Sequence, residues 1–296
     1  MNSSRSYLVA AGLATASLVV FPLADAITKS LSGAVPLLVL VWVRFMGSAL
    51  LITPLILVTR SFKPPSKQAL IFETLRACII IVAFGSYVYS FQTIQFSEAA
   101  TYYSFAPIMS AVLAIVFLKE RINKVGIFAL VMGMMGVLVA LNPQVTPAPG
   151  AYFAIGTGVL FGCYLFLNRV VAVRGDPNMA LFLQFWIGAA LLMPFVWPLL
   201  TQTALQHWIA FLAIAAVSVT CNVMLINAYR LARANFLAPF LYVEIPSALI
   251  MAAVFFGETL TWNIIVGAAL ILVAGILVLR EISEPVDNAP TMRKES

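Results

Sequence analysis

Charge is what this chain has least of. Only 9% of its 296 residues are Asp, Glu, Lys or Arg, while 62% are hydrophobic; soluble domains carry about 25% charged residues. A water-soluble fold of this length cannot hide so much apolar surface, so the surrounding solvent is lipid. Histidine falls to one residue, His207, which starts an apolar run at its edge and reads as interfacial. Cysteine stops at three, Cys78, Cys163 and Cys221, all inside apolar runs without metal-ligand spacing, and these read as small buried hydrophobes. No GxxxxGK[ST] loop occurs, which excludes ATP as the driver, and there is no HExxH pattern. An intramembrane enzyme needs a cluster of His, Asp or Ser across facing helices, which one edge histidine does not supply. No catalytic residue, metal site or cofactor is expected.

What is present is a series of unbroken apolar runs near the length that crosses a bilayer. Lipid leaves only helices or a closed barrel as spanning structures. Barrel strands alternate over about 10 residues, which these runs do not. The chain therefore reads as an all-α polytopic membrane protein with ten transmembrane helices, at 7–28, 36–58, 70–91, 97–118, 123–141, 151–173, 178–199, 206–228, 236–256 and 262–279. The first run exceeds the core of about 7–15 residues of a signal peptide and is read as a span. The break 142–150 holds three prolines and reads as a linker, and 281–296 as a disordered cytoplasmic tail.

Lysine and arginine gather after alternate spans. They include Arg60, Lys63 and Lys67, then Lys119, Arg121 and Lys124, then Arg169 and Arg174, then Arg230 and Arg233, with Arg280, Arg293 and Lys294 in the tail. The connections after spans three, five, seven and nine hold none. This places both termini in the cytoplasm, and it explains the net charge of +6 by topology rather than by a nucleic-acid partner.

The halves repeat. Lys29 matches Arg169, Arg44 matches Gln184, Phe45 matches Phe185 and Pro54 matches Pro194, each at an offset of 140 residues. Pro107 then matches Pro246 and Glu120 matches Glu258, at offsets of 139 and 138. With five spans in each half, 7–141 and 151–280, the second half enters the membrane inverted. Inverted repeats allow two equivalent packings, one open to each side, with substrate held near the midplane.

These residues also carry a resemblance. The Arg44-Phe45 pair, Ser97-Glu98-Ala99-Ala100 at the start of span four, Pro107, the run Phe117-Leu118-Lys119-Glu120-Arg121, Pro246, and Phe256-Gly257-Glu258 together resemble the EamA-type members of the drug/metabolite transporter superfamily. The resemblance covers residues 7 to 280. It implies a ten-helix secondary transporter of a small-molecule substrate in the bacterial inner membrane. A central cavity would be lined by spans one, three, four, six, eight and nine. It also implies a possible homodimer through the spans that end each half, where Gly133, Gly136, Gly267 and Gly275 sit.

Ionisable residues inside spans mark candidate sites, because each costs a few kcal/mol unless paired or facing a cavity. Glu244, two residues before Pro246, takes up a proton or meets a cationic group; the competing reading is a structural pair with an arginine. Arg44 reads as packing between repeats or a gate more than as a substrate contact. Asp25 and Lys29, four apart, are expected to pair with each other, as an outer gate or as a satisfied surface pair. Arg76 is expected to snorkel, and Glu120 and Glu258 to cap the helices that follow them. Polar lining candidates are Tyr89, Tyr102, Tyr164, Asn168, Asn222, Asn227 and Tyr242, with Gln92 beside them. Tyr87, Tyr89 and Phe91 recur every second residue and spread around their helix; Tyr102 shares a face with Phe105. Such a lining suits a flat, weakly charged ring with hydrogen-bonding edges, hence a riboflavin-like vitamin, with amino acids as the alternative substrates. A non-transporting scaffold, the reading from a different class, requires a dry apolar centre.

Overall fold

The structure, a computed structural model, describes residues 3–58, 65–118, 124–141, 147–172, 177–203, 206–231 and 238–283. It is helical throughout these residues, with no strand among them. In chain order the helices are α1 (Ser3–Leu31), α2 (Leu37–Val58), α3 (Lys67–Ser90), α4 (Phe96–Tyr103), α5 (Ala106–Leu118), α6 (Lys124–Leu141), α7 (Pro149–Ala172), α8 (Pro177–Thr203) and α9 (Trp208–Leu231). A 3-10 turn at Ala238–Val243 follows, then α10 (Glu244–Phe256) and α11 (Trp262–Ser283). Among the described residues, seven helical segments are long and apolar enough to cross a membrane: Ser6–Leu31, Leu37–Val58, Lys67–Ser90, Phe96–Phe117, Pro149–Leu167, Asn178–Leu200 and Trp208–Leu225. Ile127–Leu141, Glu244–Phe256 and Trp262–Ala274 are apolar but shorter. The positive residues Arg60, Lys63, Lys119, Arg121, Arg174 and Arg233, together with Glu120 and most of the tail, lie outside the described residues.

Local chemistry sets the breaks. Ser66 caps α3 by accepting the Ala69 N–H at 3.2 Å. Glu98 reaches back to the Gln95 N–H at 3.2 Å and fixes the start of α4. The fourth span is not one helix: α4 stops at Tyr103 and α5 begins at Ala106. Pro107 has no N–H for the carbonyl of Tyr103, so the ladder is interrupted there. Pro246 stands in the same relation to Tyr242, at the junction between the 3-10 turn and α10. Gly257 ends α10 in a left-handed conformation at φ 61°. Its N–H closes on the Ala253 carbonyl, and the Glu258 N–H closes on Ala252. That turn aims the Glu258 side chain back at the start of α4.

The principal packed pairs are α1 with α9, α3 with α7, α2 with α8, and α6 with α11. Their registers run antiparallel. Ser17 donates to the Cys221 carbonyl at 2.8 Å, while Ala10 and Ala14, nearer the start of α1, pack on Ala228 further along α9. Thr157 donates to the Ala83 carbonyl at 3.1 Å, while Tyr89, further along α3, packs on Phe153, nearer the start of α7. The first helix of one half thus meets the third of the other, and the third meets the first.

The surface is the apolar side of this molecule. Leu57, Phe117, Phe128, Trp197, Val254 and Trp262 are exposed, whereas Ser17, Asp25, Ser48, Glu73, Arg76, Ser97, Thr101 and Gln184 are buried. Helices in lipid gain little from hydrophobic association and hold together by close packing. The seam between α6 and α11 shows how close. A Cβ on Gly136 would stand 2.9 Å from the Gly267 carbonyl oxygen, and one on Gly267 would stand 2.7 Å from that of Gly136. These glycines are engaged within the chain, with Gly133 against Ile108 and Ala274. Gly275 lies outside the residues whose side positions are described. Gly136→Val should therefore lower stability by about 1–3 kcal/mol, the usual cost of overpacking, seen as a lower unfolding temperature in detergent. Gly12→Ala, which meets nothing within 4 Å and puts the better helix former inside α1, should not lower that temperature.

Candidate functional site

The site is built from three buried ionic groups and the rings between them. At the end where α1 finishes and α4 starts, Glu258 holds the helix start. Its Oε1 accepts the Phe96 N–H at 2.7 Å, and its Oε2 accepts the Ser97 N–H at 2.9 Å and the Ser97 hydroxyl at 2.8 Å. These N–H groups have no partner inside α4 and carry the positive end of its dipole, so a carboxylate suits them. Lys29 donates to Glu258 Oε1 at 2.9 Å. Its ammonium lies 5.9 Å from the ring centroids of Phe91 and Phe96 and 4.9 Å from that of Phe256. Glu258 does cap a helix, but not the next one: it caps α4, in the other half of the chain.

Deeper in, Arg44 Nη1 donates to Asp25 Oδ1. The guanidinium is sandwiched by Phe21 at 4.8 Å and Phe84 at 4.2 Å. The expected pairing of Asp25 with Lys29 is therefore corrected: each finds its partner on another element. A same-helix pair four residues apart contributes only about 0.2–0.5 kcal/mol, so a fork-shaped guanidinium and an ordered cap displace it. Tyr87 and Tyr103 lie within electrostatic reach of Asp25, Arg44 and Glu244. Glu244 is half-buried at the first residue of α10. It feels both Asp25 and Arg44, yet among the described residues no hydrogen bond or ion pair reaches its carboxylate. The helix dipole of α10 is its local compensation.

From there a ladder of rings crosses the molecule. Phe91 packs on Tyr87 at 4.7 Å, Tyr87 on Tyr103 at 5.3 Å, Tyr103 on Phe161 at 5.1 Å and Phe161 on Tyr164 at 5.6 Å. It ends at the third buried ionic group. The Tyr164 hydroxyl donates to Gln184 Oε1 at 2.7 Å, and Arg76 Nη2 donates to the same oxygen at 3.3 Å. Arg76 Nη1 donates to Glu73, and the guanidinium stands 5.4 Å over the Tyr164 ring. Arg76 is 4% exposed and does not snorkel. Glu73, on the same face of α3, supplies its counter-charge inside the protein.

The other candidates divide. Tyr164 is at one end of the ladder; Lys29, by Phe91, is at the other, and Asp25, Arg44 and Glu244 lie within electrostatic reach of Tyr87 and Tyr103. Tyr89 is exposed and packs on Phe153, outside the ladder; it sits two residues from Tyr87, on the opposite side of α3. Tyr102 turns away, donating to the Ala140 carbonyl of α6 at 3.3 Å. Asn222 and Asn227 spend their amide donors on their own helix, on the carbonyls of Ser218 and Val223 at 2.8 Å each. Tyr242 is buried in the 3-10 turn, and Gln92 is exposed. The side chain of Asn168 lies outside the described residues. Of the ladder rings, Tyr87 and Tyr103 take the places that the sequence reading gave to their neighbours Tyr89 and Tyr102, and Phe161 carries no signal in the sequence. The signal that finds the first of them is the four-residue spacing of Tyr87 and Phe91, which puts both on one face.

Helices long and apolar enough to cross a membrane, packed around buried ion pairs and rings, define a multi-pass membrane protein. The EamA-like transporter family matches residues 7–142 and 148–280, and the chain belongs to it. A transporter of Archaeoglobus fulgidus without assigned substrate is 26% identical over 66% of this chain and 70% of its own length. The S-adenosylmethionine uptake transporter of Rickettsia conorii is 23% identical over 94% of this chain and 95% of its own. The pseudopaline exporter of Pseudomonas aeruginosa is 23% identical over 88% and 92% respectively. A solved crystal structure shares the fold at a TM-score of 0.62 and 15% identity, covering 93% of this chain and 99% of that one.

The cap on α4 has a pH signature. Burial alone raises the Glu258 pKa, but the N–H groups of Ser97 and Phe96, then Lys29 and the Ser97 hydroxyl, outweigh it and hold the carboxyl below its ordinary 4.5. A lowered folded-state pKa gives stability that is complete above the ordinary value and lost as pH falls through the lowered one. Glu258→Gln should therefore unfold at a lower temperature than the parent at neutral pH. The two melting curves should converge in strong acid; a constant gap would show that the charge is not what holds α4.

Proposed function

We propose that this protein is a secondary carrier that moves a small metabolite across the bacterial inner membrane by alternating access of two inverted five-helix halves. The antiparallel registers of α1 with α9 and α3 with α7 support the inversion, since halves running the same way would pair these helices in parallel. The seven long apolar segments and the three shorter apolar helices support a count of ten. The scaffold alternative asks for a dry hydrocarbon centre, and the buried ion pairs, amide and hydroxyls count against it.

The observation that carries the reading is Glu244. Asp25 and Arg44 neutralise each other, so Glu244 beside them is one negative charge in excess whenever it is ionised. An ionisable group in the interior without a side-chain partner is costly and is retained where something mobile completes it. That partner is a proton, or an amino or other cationic group on the substrate, with Tyr87 and Tyr103 offering ring faces beside it. The riboflavin-like guess loses support, because Tyr89 and Tyr102 turn away from the path. A metabolite bearing an amino group fits better. The relatives named for S-adenosylmethionine uptake and pseudopaline export support a metabolite-sized cargo and represent both directions of transport. A homodimer is left with the outer faces of α6 and α11, since the glycines between them are already used.

Growth of auxotrophs expressing the chain, scored over a panel of amino acids and vitamins, identifies the cargo. With that compound, Glu244→Gln should cut flux by about tenfold or more, the equivalent of about 1.4 kcal/mol, at unchanged membrane abundance. Parent-like flux in the variant at every pH would remove Glu244 from the mechanism. Cysteines at Lys63 and Arg174 should react with an impermeant reagent only from the cytoplasm; reaction from outside would reverse the orientation.

A further inference from the structure

We infer that Glu73, Arg76, Gln184 and Tyr164 are positioning residues for transport: they form the closure at the end of the ring ladder where α3 begins, opposite Asp25–Arg44. The inference rests on the carrier reading above. Its first support is position. Gln184 occupies the repeat position of Arg44, each seven residues past the first residue of its helix, α8 and α2. At the first end that position carries the cation, and the preceding helix, α1, supplies the anion. At the second end the place of Arg44 carries a neutral amide, Gln184 on α8, and α7 supplies a neutral hydroxyl, Tyr164, one residue before the place that matches Asp25. The charged pair comes instead from α3, in the other half of the chain. The ionic closure has been kept while its source has moved.

The second support is burial along the path. Glu73, Arg76, Gln184 and Tyr164 are all buried near the start of α3. Tyr164 is the last ring of the ladder, and Arg76 covers its face. A solute following the rings toward this end has to part Arg76 from Gln184 and Tyr164.

The third support is how the closure opens. Asp25 and Arg44 sit on different helices, so separating α1 from α2 strands two charges. Glu73 and Arg76 sit three residues apart on one helix. When α3 draws away from α7 and α8, the guanidinium keeps its carboxylate while it gives up the amide and the ring. No lone charge is left in lipid, which is the costly outcome for a buried pair. This end is the one built to open and close repeatedly.

The test uses the full chain in membrane vesicles with Cys78, Cys163 and Cys221 replaced by serine and one probe, Phe161→Cys. The reagent is an impermeant methanethiosulfonate, applied separately to each face. Gln184→Ala should raise the labelling rate about tenfold from the face where α3 starts and leave the other face unchanged. Tyr164→Phe, which keeps the ring, should raise it less. Arg76→Gln should open the same face, and adding Gln184→Arg, which returns the guanidinium to α8 opposite Glu73, should restore slow labelling. Membrane abundance of each variant guards against misfolding, and the restoring double variant answers for Arg76→Gln. Unchanged rates in Gln184→Ala, equal increases from both faces, or no restoration in the double variant would overturn the closure. The readout needs no substrate. One-sided opening together with parent-like flux in Glu244→Gln would sink the carboxylate's role and leave this closure standing.

Discussion

The organising constraint is the cost of an ionised side chain in hydrocarbon. Few residues here are charged, and those inside the spans are not scattered. Lys29 meets Glu258, Arg44 meets Asp25 and Arg76 meets Glu73. Each pair is roofed by aromatic rings or tied to backbone N–H groups, so the charges satisfy one another instead of reaching for water. Placing the pairs also places the helices, since the first two join different elements and the third reaches α8 through Gln184. Buried pairs of this kind contribute little net stability relative to well-packed apolar residues. Their value lies in fixing which helices meet, and where. Glu244 departs from the rule: among the described residues it has no ion-pair partner, and it lies within electrostatic reach of Asp25, Arg44, Tyr87 and Tyr103.

The breaks in the helices belong to the same design. Continuous helices satisfy every backbone group internally and offer a solute nothing. Pro107 and Pro246 interrupt the fourth and ninth spans, freeing the carbonyls of Tyr103 and Tyr242 from the ladder. The ring of Tyr103 joins the path at one interruption, and Glu244 opens α10 at the other. Gly257 ends α10 with a left-handed turn that sends Glu258 across to the start of α4. Two broken spans from opposite halves are thereby clasped by one carboxylate.

Much of this was legible in the sequence because it depends on periodicity and position. Long apolar runs, the scarcity of charge, the offset of 140 residues and the midspan Glu244 all follow from where residue types fall along the chain. Partner choice was not legible. Asp25 and Lys29 share a helix face, but nothing local says that Arg44 and Glu258 outcompete that pairing. Arg76 reads as a snorkelling end residue until α7 and α8 are seen to cover it. The tyrosines failed for a related reason: Tyr87 and Tyr89 look alike in sequence, and only the four-residue step to Phe91 separates the path side from the outer side. The split of span four near Pro107 was similarly hidden within an unbroken apolar run.

The central claim is that one polar, ring-lined pocket between the halves is reached from each side of the membrane in turn. A single cysteine in place of Tyr103, in the cysteine-free chain, tests it most directly with impermeant reagent applied first to one face and then to the other. The account predicts reaction from both faces, slowed from both by the transported compound. Reaction from one face alone, or from neither, would contradict it.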